Sequence, residues 1–138
     1  MIYFISGHRD LTEAEFNTHY VPILNKVLED DPYARFVVGD WEGCDLMAIL
    51  HLIKIHANPP IITIYCVEEP QQEILRNLVK SYTRIRYKSC VSYDECDALM
   101  TEESHFDITW IRPGKENSHT SDNIKRRYSL WKPIPENQ

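Results

Sequence analysis

The stretch Ile2-Tyr3-Phe4-Ile5-Ser6-Gly7-His8-Arg9-Asp10 decides the fold. An apolar run starts almost at residue 1 and ends in a glycine followed by polar and charged groups. A short continuous apolar run bounded by such a turn reads as a strand covered on both faces, with its carboxyl end opening into a site. Working outward, Thr12-Glu13-Ala14-Glu15 has capping-box spacing, and Phe16, Tyr20, Ile23, Leu24, Val27 and Leu28 follow at helical intervals. Pro22 is expected to kink this helix, because proline removes a backbone donor, and Asp30-Asp31-Pro32 ends it.

The alternation then repeats. Arg35-Phe36-Val37-Val38 reads as a second strand closed by Gly39-Asp40, and Asp45 is placed to cap the next helix. Residues 46–57 are apolar almost all round, as a helix covering a parallel sheet would be. Pro59-Pro60 precedes a third strand, Ile61 to Val67. A helix from Glu68-Glu69-Pro70 to Tyr82 leads to a charged strand, Thr83 to Tyr87, expected near an edge. Tyr93 to Glu103 reads as a helix, Asp107 to Ile111 as a final strand, and Asn117 to Leu130 as a closing helix. Strands alternating with helices predict an α/β fold: a single Rossmann-like three-layer domain over residues 1–131, with a mainly parallel sheet of about five strands. Residues 132–138 read as a flexible proline-rich tail.

Composition narrows the function classes. With 138 residues there is room for one domain and a real core. A net charge of −6 opposes a domain built mainly to bind nucleic acid, because phosphate neutralisation needs a basic face. Cys44, Cys66, Cys90 and Cys96 lack C-x-x-C spacing and the histidines add no partner set, so neither a metal site nor a cofactor is implied. The amino terminus lacks a signal-peptide pattern, and no apolar run approaches the roughly 20 residues needed to span a bilayer. The expectation is a cytoplasmic protein with reduced thiols and no membrane partner. The apolar residues of the 46–57 helix leave room for a homodimer, although burial on the sheet explains them equally well.

Ligands of parallel α/β sheets bind beyond the carboxyl ends of the strands, near the point where strand order reverses. Three polar, glycine-containing turns are expected there: Ser6-Gly7-His8-Arg9, Gly39-Asp40-Trp41-Glu42-Gly43 and Arg112-Pro113-Gly114-Lys115. They bring cations (Arg9, Arg112, Lys115), carboxylates (Asp40, Asp45) and close backbone approach at Gly7, Gly43 and Gly114, and the helix starts that follow offer free N–H groups. Cations and amides suit phosphate, and carboxylates suit ribose hydroxyls, so the partner expected is a nucleotide or sugar phosphate. Plainer readings stand beside these: Arg9 paired with Asp10 or Asp40, Lys115 as solvated charge, Asp45 as a helix cap, and Trp41 covering the core rather than stacking on a base.

The motifs in order also resemble a known family. Ser6 to Asp10, then Val37-Val38-Gly39-Asp40 with Gly43 and Asp45, then Trp110-x-Arg112-Pro113-Gly114-Lys115 with Ser118-x-Thr120 and Asn123-Ile124-x-Arg126-Arg127, resemble the SLOG superfamily over residues 2 to about 127. That superfamily takes in DprA-like DNA-processing proteins and LOG-like phosphoribohydrolases, and the likeness is greatest to its small YspA/YpsA-related branch. The resemblance implies nucleotide binding, with Gly7, His8, Arg9, Asp40, Gly43, Gly114, Lys115, Ser118 and Thr120 at the site. LOG enzymes cleave an N-glycosidic bond with a glutamate and an upstream arginine. Here Asn123 stands at the glutamate position, His119 at a customary glycine, and Cys96-Asp97-Ala98-Leu99-Met100 lacks the arginine that small relatives carry. A hydrolase would therefore need a different catalytic set, with Asp40 as its carboxylate, or Asp122 or His119 in substitution. Two further classes remain: an interaction protein with a vestigial site, and a DprA-like single-strand binder using Lys125-Arg126-Arg127 and Trp131.

Overall fold

The computed structural model describes residues 1–131 apart from His56 and Asn117, and describes the backbone alone at positions 119 and 131. Its order is β1 (Ile2–Ile5), α1 (Glu13–His19), α2 (Val21–Asp30), β2 (Arg35–Val38), α3 (Cys44–Lys54), β3 (Ile62–Val67), α4 (Glu73–Ser81), β4 (Ile85–Cys90), α5 (Tyr93–Glu103), β5 (Phe106–Ile108) and α6 (His119–Trp131). The five strands form one parallel sheet in the order β4-β3-β2-β1-β5. The chain adds strands outward from β1 to β4, then returns to the far side of β1 as β5. Strand order therefore reverses between β1 and β5, and the opening stretch lies at that switch point. The expected tail, 132–138, and the expected helix start at Asn117 lie outside the described residues.

Side-chain alternation along the strands divides the core in two. Ile5, Phe36, Val38, Ile62 and Ile64 face one side, where Phe16, Leu24, Ala48, Ile49, Leu52 and Leu75 of α1–α4 cover them. Phe4, Val37 and Tyr65 face the other side, against Cys96 and Met100 of α5. The result is the three-layer α/β domain the sequence predicts.

Several boundaries differ from expectation, each for a visible reason. The first helical segment is two helices divided at Tyr20, and Pro22 sits in the first turn of α2, where a missing N–H costs nothing. Tyr20 is fully buried; its hydroxyl donates to the Ser6 carbonyl at 2.8 Å and accepts from the Trp110 N–H at 3.0 Å. That second bond draws the chain off the sheet after Ile108, so β5 is shorter than the sequence pattern indicates. Helix α4 begins only at Glu73, because Glu68 adopts φ 69° and the Gln71 N–H is taken by Asp40 at 2.9 Å. Strand β4 runs later than expected, to Cys90, and occupies the edge position expected of it. No helix among the described residues is long and apolar enough to cross a membrane.

Candidate functional site

The three glycine turns meet at His8. Its carbonyl accepts from the N–H of Leu11 in its own turn and of Cys44 beyond the second turn, both at 3.2 Å. Its Nε2 accepts from the Arg112 N–H of the third turn at 2.9 Å. An acceptor Nε2 places the proton on Nδ1 and makes the ring neutral. Burial, and then the Arg112 guanidinium, hold its pKa below the usual imidazole value.

Two glycines are required by these close approaches. A Cβ on Gly7 would lie 2.5 Å from both the Cys44 Sγ and the Tyr20 hydroxyl. Gly43 adopts φ 74° and carries the second turn onto the first, where a Cβ would lie 2.1 Å from the Arg9 carbonyl oxygen. Gly43, rather than Asp45, is the N-cap of α3.

Between the first two turns, α5 and the start of α6 lies a cavity of about 180 Å³. Gly7, His8, Arg9, Asp45, Ser118 and Thr120, all expected at the site, line it. Asp40, Gly43, Gly114 and Lys115 do not. Asp40 is fully buried beneath the β3–α4 connection, where its Oδ2 accepts from the Gln71 N–H at 2.9 Å and its Oδ1 from the Gln71 side-chain amide at 3.1 Å. Its carbonyl accepts from Gln72, so the aspartate braces a loop. Gly114 has open space around it and Lys115 is exposed.

The aspartate that follows β2 and lines the cavity is instead Asp45. It is buried in the first turn of α3, and its Oδ2 accepts from the Trp41 N–H at 3.2 Å. Burial, opposed by the Trp41 bond and reinforced by the nearby carboxylates Asp40 and Asp97, leaves its pKa pushed up to about 8. A carboxyl group in that range is mostly protonated near neutral pH and can give or take a proton.

The opposite wall escaped the sequence reading. Tyr93, Asp94, Cys96 and Asp97 line the cavity from the first turns of α5. This helix crosses from edge strand β4 back to β5, and its amino end lies beside the carboxyl ends of β3 and β4. The acidic pair Asp94 and Asp97, three residues apart on one helix face, was the available signal. Arg9 makes no ion pair among the described residues; its guanidinium lies 3.4 Å over the Trp41 ring. Trp41 also meets Tyr93 at 4.8 Å between centroids, so the indole is held between these groups.

The amino end of α6 supplies a positive pole. Ser118 caps it, its Oγ accepting from the Ser121 N–H at 3.2 Å. The backbone N–H groups at positions 119 and 120 have no acceptor within the helix. Asn123 is buried and lines the cavity, its Oδ1 accepting from Arg126 at 2.7 Å.

Arg112 and Arg127 are committed elsewhere. Arg112 donates to both oxygens of Glu15, at 2.9 and 2.8 Å, and to Asp10 at 3.1 Å, tying the third turn to the capping box of α1. Arg127 is buried, donating to the Thr101 and Ser104 carbonyls and pairing with Asp107 at 3.0 Å. The basic triplet thus holds α6 to α5 and the sheet through Arg127. No group of side chains among the described residues could hold a metal ion.

Cys90 and Cys96, expected as thiols, are joined as a disulfide, while Cys44 and Cys66 are free and buried. Comparison of the chain with protein-family models, with curated proteins and with solved structures finds no match.

Proposed function

We propose that the domain binds a nucleotide or nucleotide-derived ligand in the cavity at the β1/β5 switch point. The observation that carries this reading is the pairing of two poles around one enclosure. Asp45, Asp94 and Asp97 line it together with the capped amino end of α6. Carboxyl groups accept hydrogen bonds from ribose hydroxyls, while helix N–H groups and Arg9 suit an anionic substituent. The cavity is smaller than the roughly 300 Å³ at the low end of drug-sized pockets, so it suits a ribosyl phosphate unit with the rest of the ligand over the mouth. The ordered resemblance to SLOG proteins supports the same ligand class.

Thermal shifts with AMP, NAD and ADP-ribose test the reading. A ligand at a hundredfold excess over its Kd adds about 2.7 kcal/mol of stability. Stabilisation lost in Arg9→Ala supports the site; no stabilisation by any of the three overturns the ligand class and favours an interaction protein with a vestigial site.

One observation favours a second reading, N-glycosidic hydrolysis. Of the two aspartates that follow β2, Asp45 and not Asp40 lines the cavity, and its pKa is pushed up to about 8. In such a reaction Asp45 would give its proton to the departing base as the C1′–N bond breaks. Water would add to C1′ and return a proton to Asp45, with Asp94 and Asp97 opposing the positive charge of the oxocarbenium-like state. Adenine release from AMP that disappears in Asp45→Asn but survives in Asp40→Asn supports this assignment; equal rates in the parent and Asp45→Asn sink it.

A further inference from the structure

The cavity wall formed by α5 is fastened by a covalent link. Cys90 ends β4, Cys96 lies in the early part of α5, and their Cα atoms are 5.5 Å apart. We propose that Cys90 and Cys96 are a thiol–disulfide exchange site for a low-molecular-weight disulfide, and that the state of the pair sets the shape of the Tyr93–Asp94–Cys96 wall.

Position supports the proposal first. The segment between the two cysteines contributes Tyr93 and Asp94 to the cavity, and Cys96 itself lines it. A change at the sulfurs therefore acts directly on the enclosure. Cys96 packs with Phe4, Val37, Tyr65 and Met100, so the cavity is the side on which it has room to move.

Local hydrogen bonding supports it next. The start of α5 is already secured without the sulfurs: Ser92 Oγ accepts from the Glu95 N–H at 3.1 Å, and Glu95 accepts from the Val91 N–H at 2.8 Å. The disulfide is not needed to begin the helix. Opening it replaces a bond of about 2 Å with a non-bonded contact of roughly 3.5–4 Å, a change the wall must absorb while the helix persists.

Accessibility assigns the two roles. Both are buried, but Cys90 keeps 8% of its surface exposed and Cys96 only 1%. Cys90 is the entry sulfur. Its thiolate attacks one sulfur of the small disulfide, forming a mixed disulfide and expelling one small thiolate. The Cys96 thiolate then attacks the Cys90 sulfur and expels the second. The protein loses two electrons and two protons, and two molecules of small thiol are formed. Excess small thiol runs the sequence backwards.

The test uses the full chain equilibrated across ratios of reduced to oxidised glutathione. Differential alkylation and mass spectrometry measure the Cys90–Cys96 link, and NMR follows the indole N–H of Trp41, whose ring packs on Tyr93 from outside the linked segment. The expected result is a two-electron transition within that range, with the Trp41 resonance moving at the same midpoint and remaining still in a Cys90→Ser/Cys96→Ser variant. A pair that stays fully oxidised or fully reduced throughout, or a Trp41 signal unmoved across the transition, overturns the proposal. A further arm, resting on the ligand reading above, measures AMP affinity in both states, with at least a threefold difference expected. Equal affinities overturn the link to the cavity. Failure of AMP to bind in either state counts against the ligand reading, and the Trp41 arm then decides this proposal.

Discussion

Replacing Asp45 by asparagine should stabilise the protein near neutral pH while weakening any proton chemistry in the cavity. The folded carboxyl is pushed up to about 8, from an ordinary value of 3.8 in the unfolded chain. Because the folded value is the higher one, the protonated group contributes its stability fully below pH 4. That contribution is lost steadily as pH rises towards 8 and is gone above it. Each pH unit in the window is worth about 1.4 kcal/mol, so the full cost is on the order of 6 kcal/mol. Asparagine keeps an oxygen to accept from the Trp41 N–H and never ionises, so the variant escapes the cost. Urea unfolding of both proteins at pH 5, 6, 7 and 8 measures the difference, and groups common to both, such as His8, largely cancel. The variant should gain on the parent by roughly 1 kcal/mol or more per pH unit from pH 5 to pH 8. Stability curves that run parallel with pH would refute the burial argument and, with it, Asp45 as the proton-exchanging group.

Other perturbations test the frame around the cavity. Gly43→Ala, at φ 74° and facing the Arg9 carbonyl, should cost about 3 kcal/mol or more by chemical unfolding and disturb the first turn. Arg127→Ala leaves Asp107 and the α5 carbonyls without their partner, and a loss of about 3–5 kcal/mol is expected. Ser118→Ala should cost about 1 kcal/mol as a lost helix cap. Arg112→Ala should lower the Tm at pH 7. The Arg112 guanidinium holds the Glu15 carboxyl down to about 2, so the stabilisation it brings is present above pH 4.5 and lost as pH falls towards 2; the two melting curves should converge at acid pH.

The architecture was legible because β1, β2 and β3 are short apolar runs ending in glycine or polar turns, and the segments between them carry apolar residues at helical spacing. Boundaries set by distant partners were not legible. Nothing in Trp110 or its neighbours announces that Tyr20, ninety positions away, will take its N–H and end β5. Asp40 and Asp45 show the same limit at the site. Both follow β2 in similar surroundings, yet Gln71 encloses one while the other borders the cavity. Which carboxylate is used depends on the β3–α4 connection, remote in sequence. Arg112 was counted as a free cation because its bidentate partner Glu15 lies in α1 and was read only as part of a capping box. The α5 wall was missed because its residues belong to no glycine turn.

The central claim is that Gly7–Arg9, Asp45, the first turns of α5 and the start of α6 form one ligand site. Titration of the isotope-labelled chain with AMP and ADP-ribose, followed by amide NMR, tests it most directly. The account predicts saturable shifts grouped at Gly7, His8, Arg9, Asp45, Asp94, Asp97 and Thr120, and reduced in Arg9→Ala. Saturable shifts centred elsewhere on the protein, or none with either ligand, would contradict it.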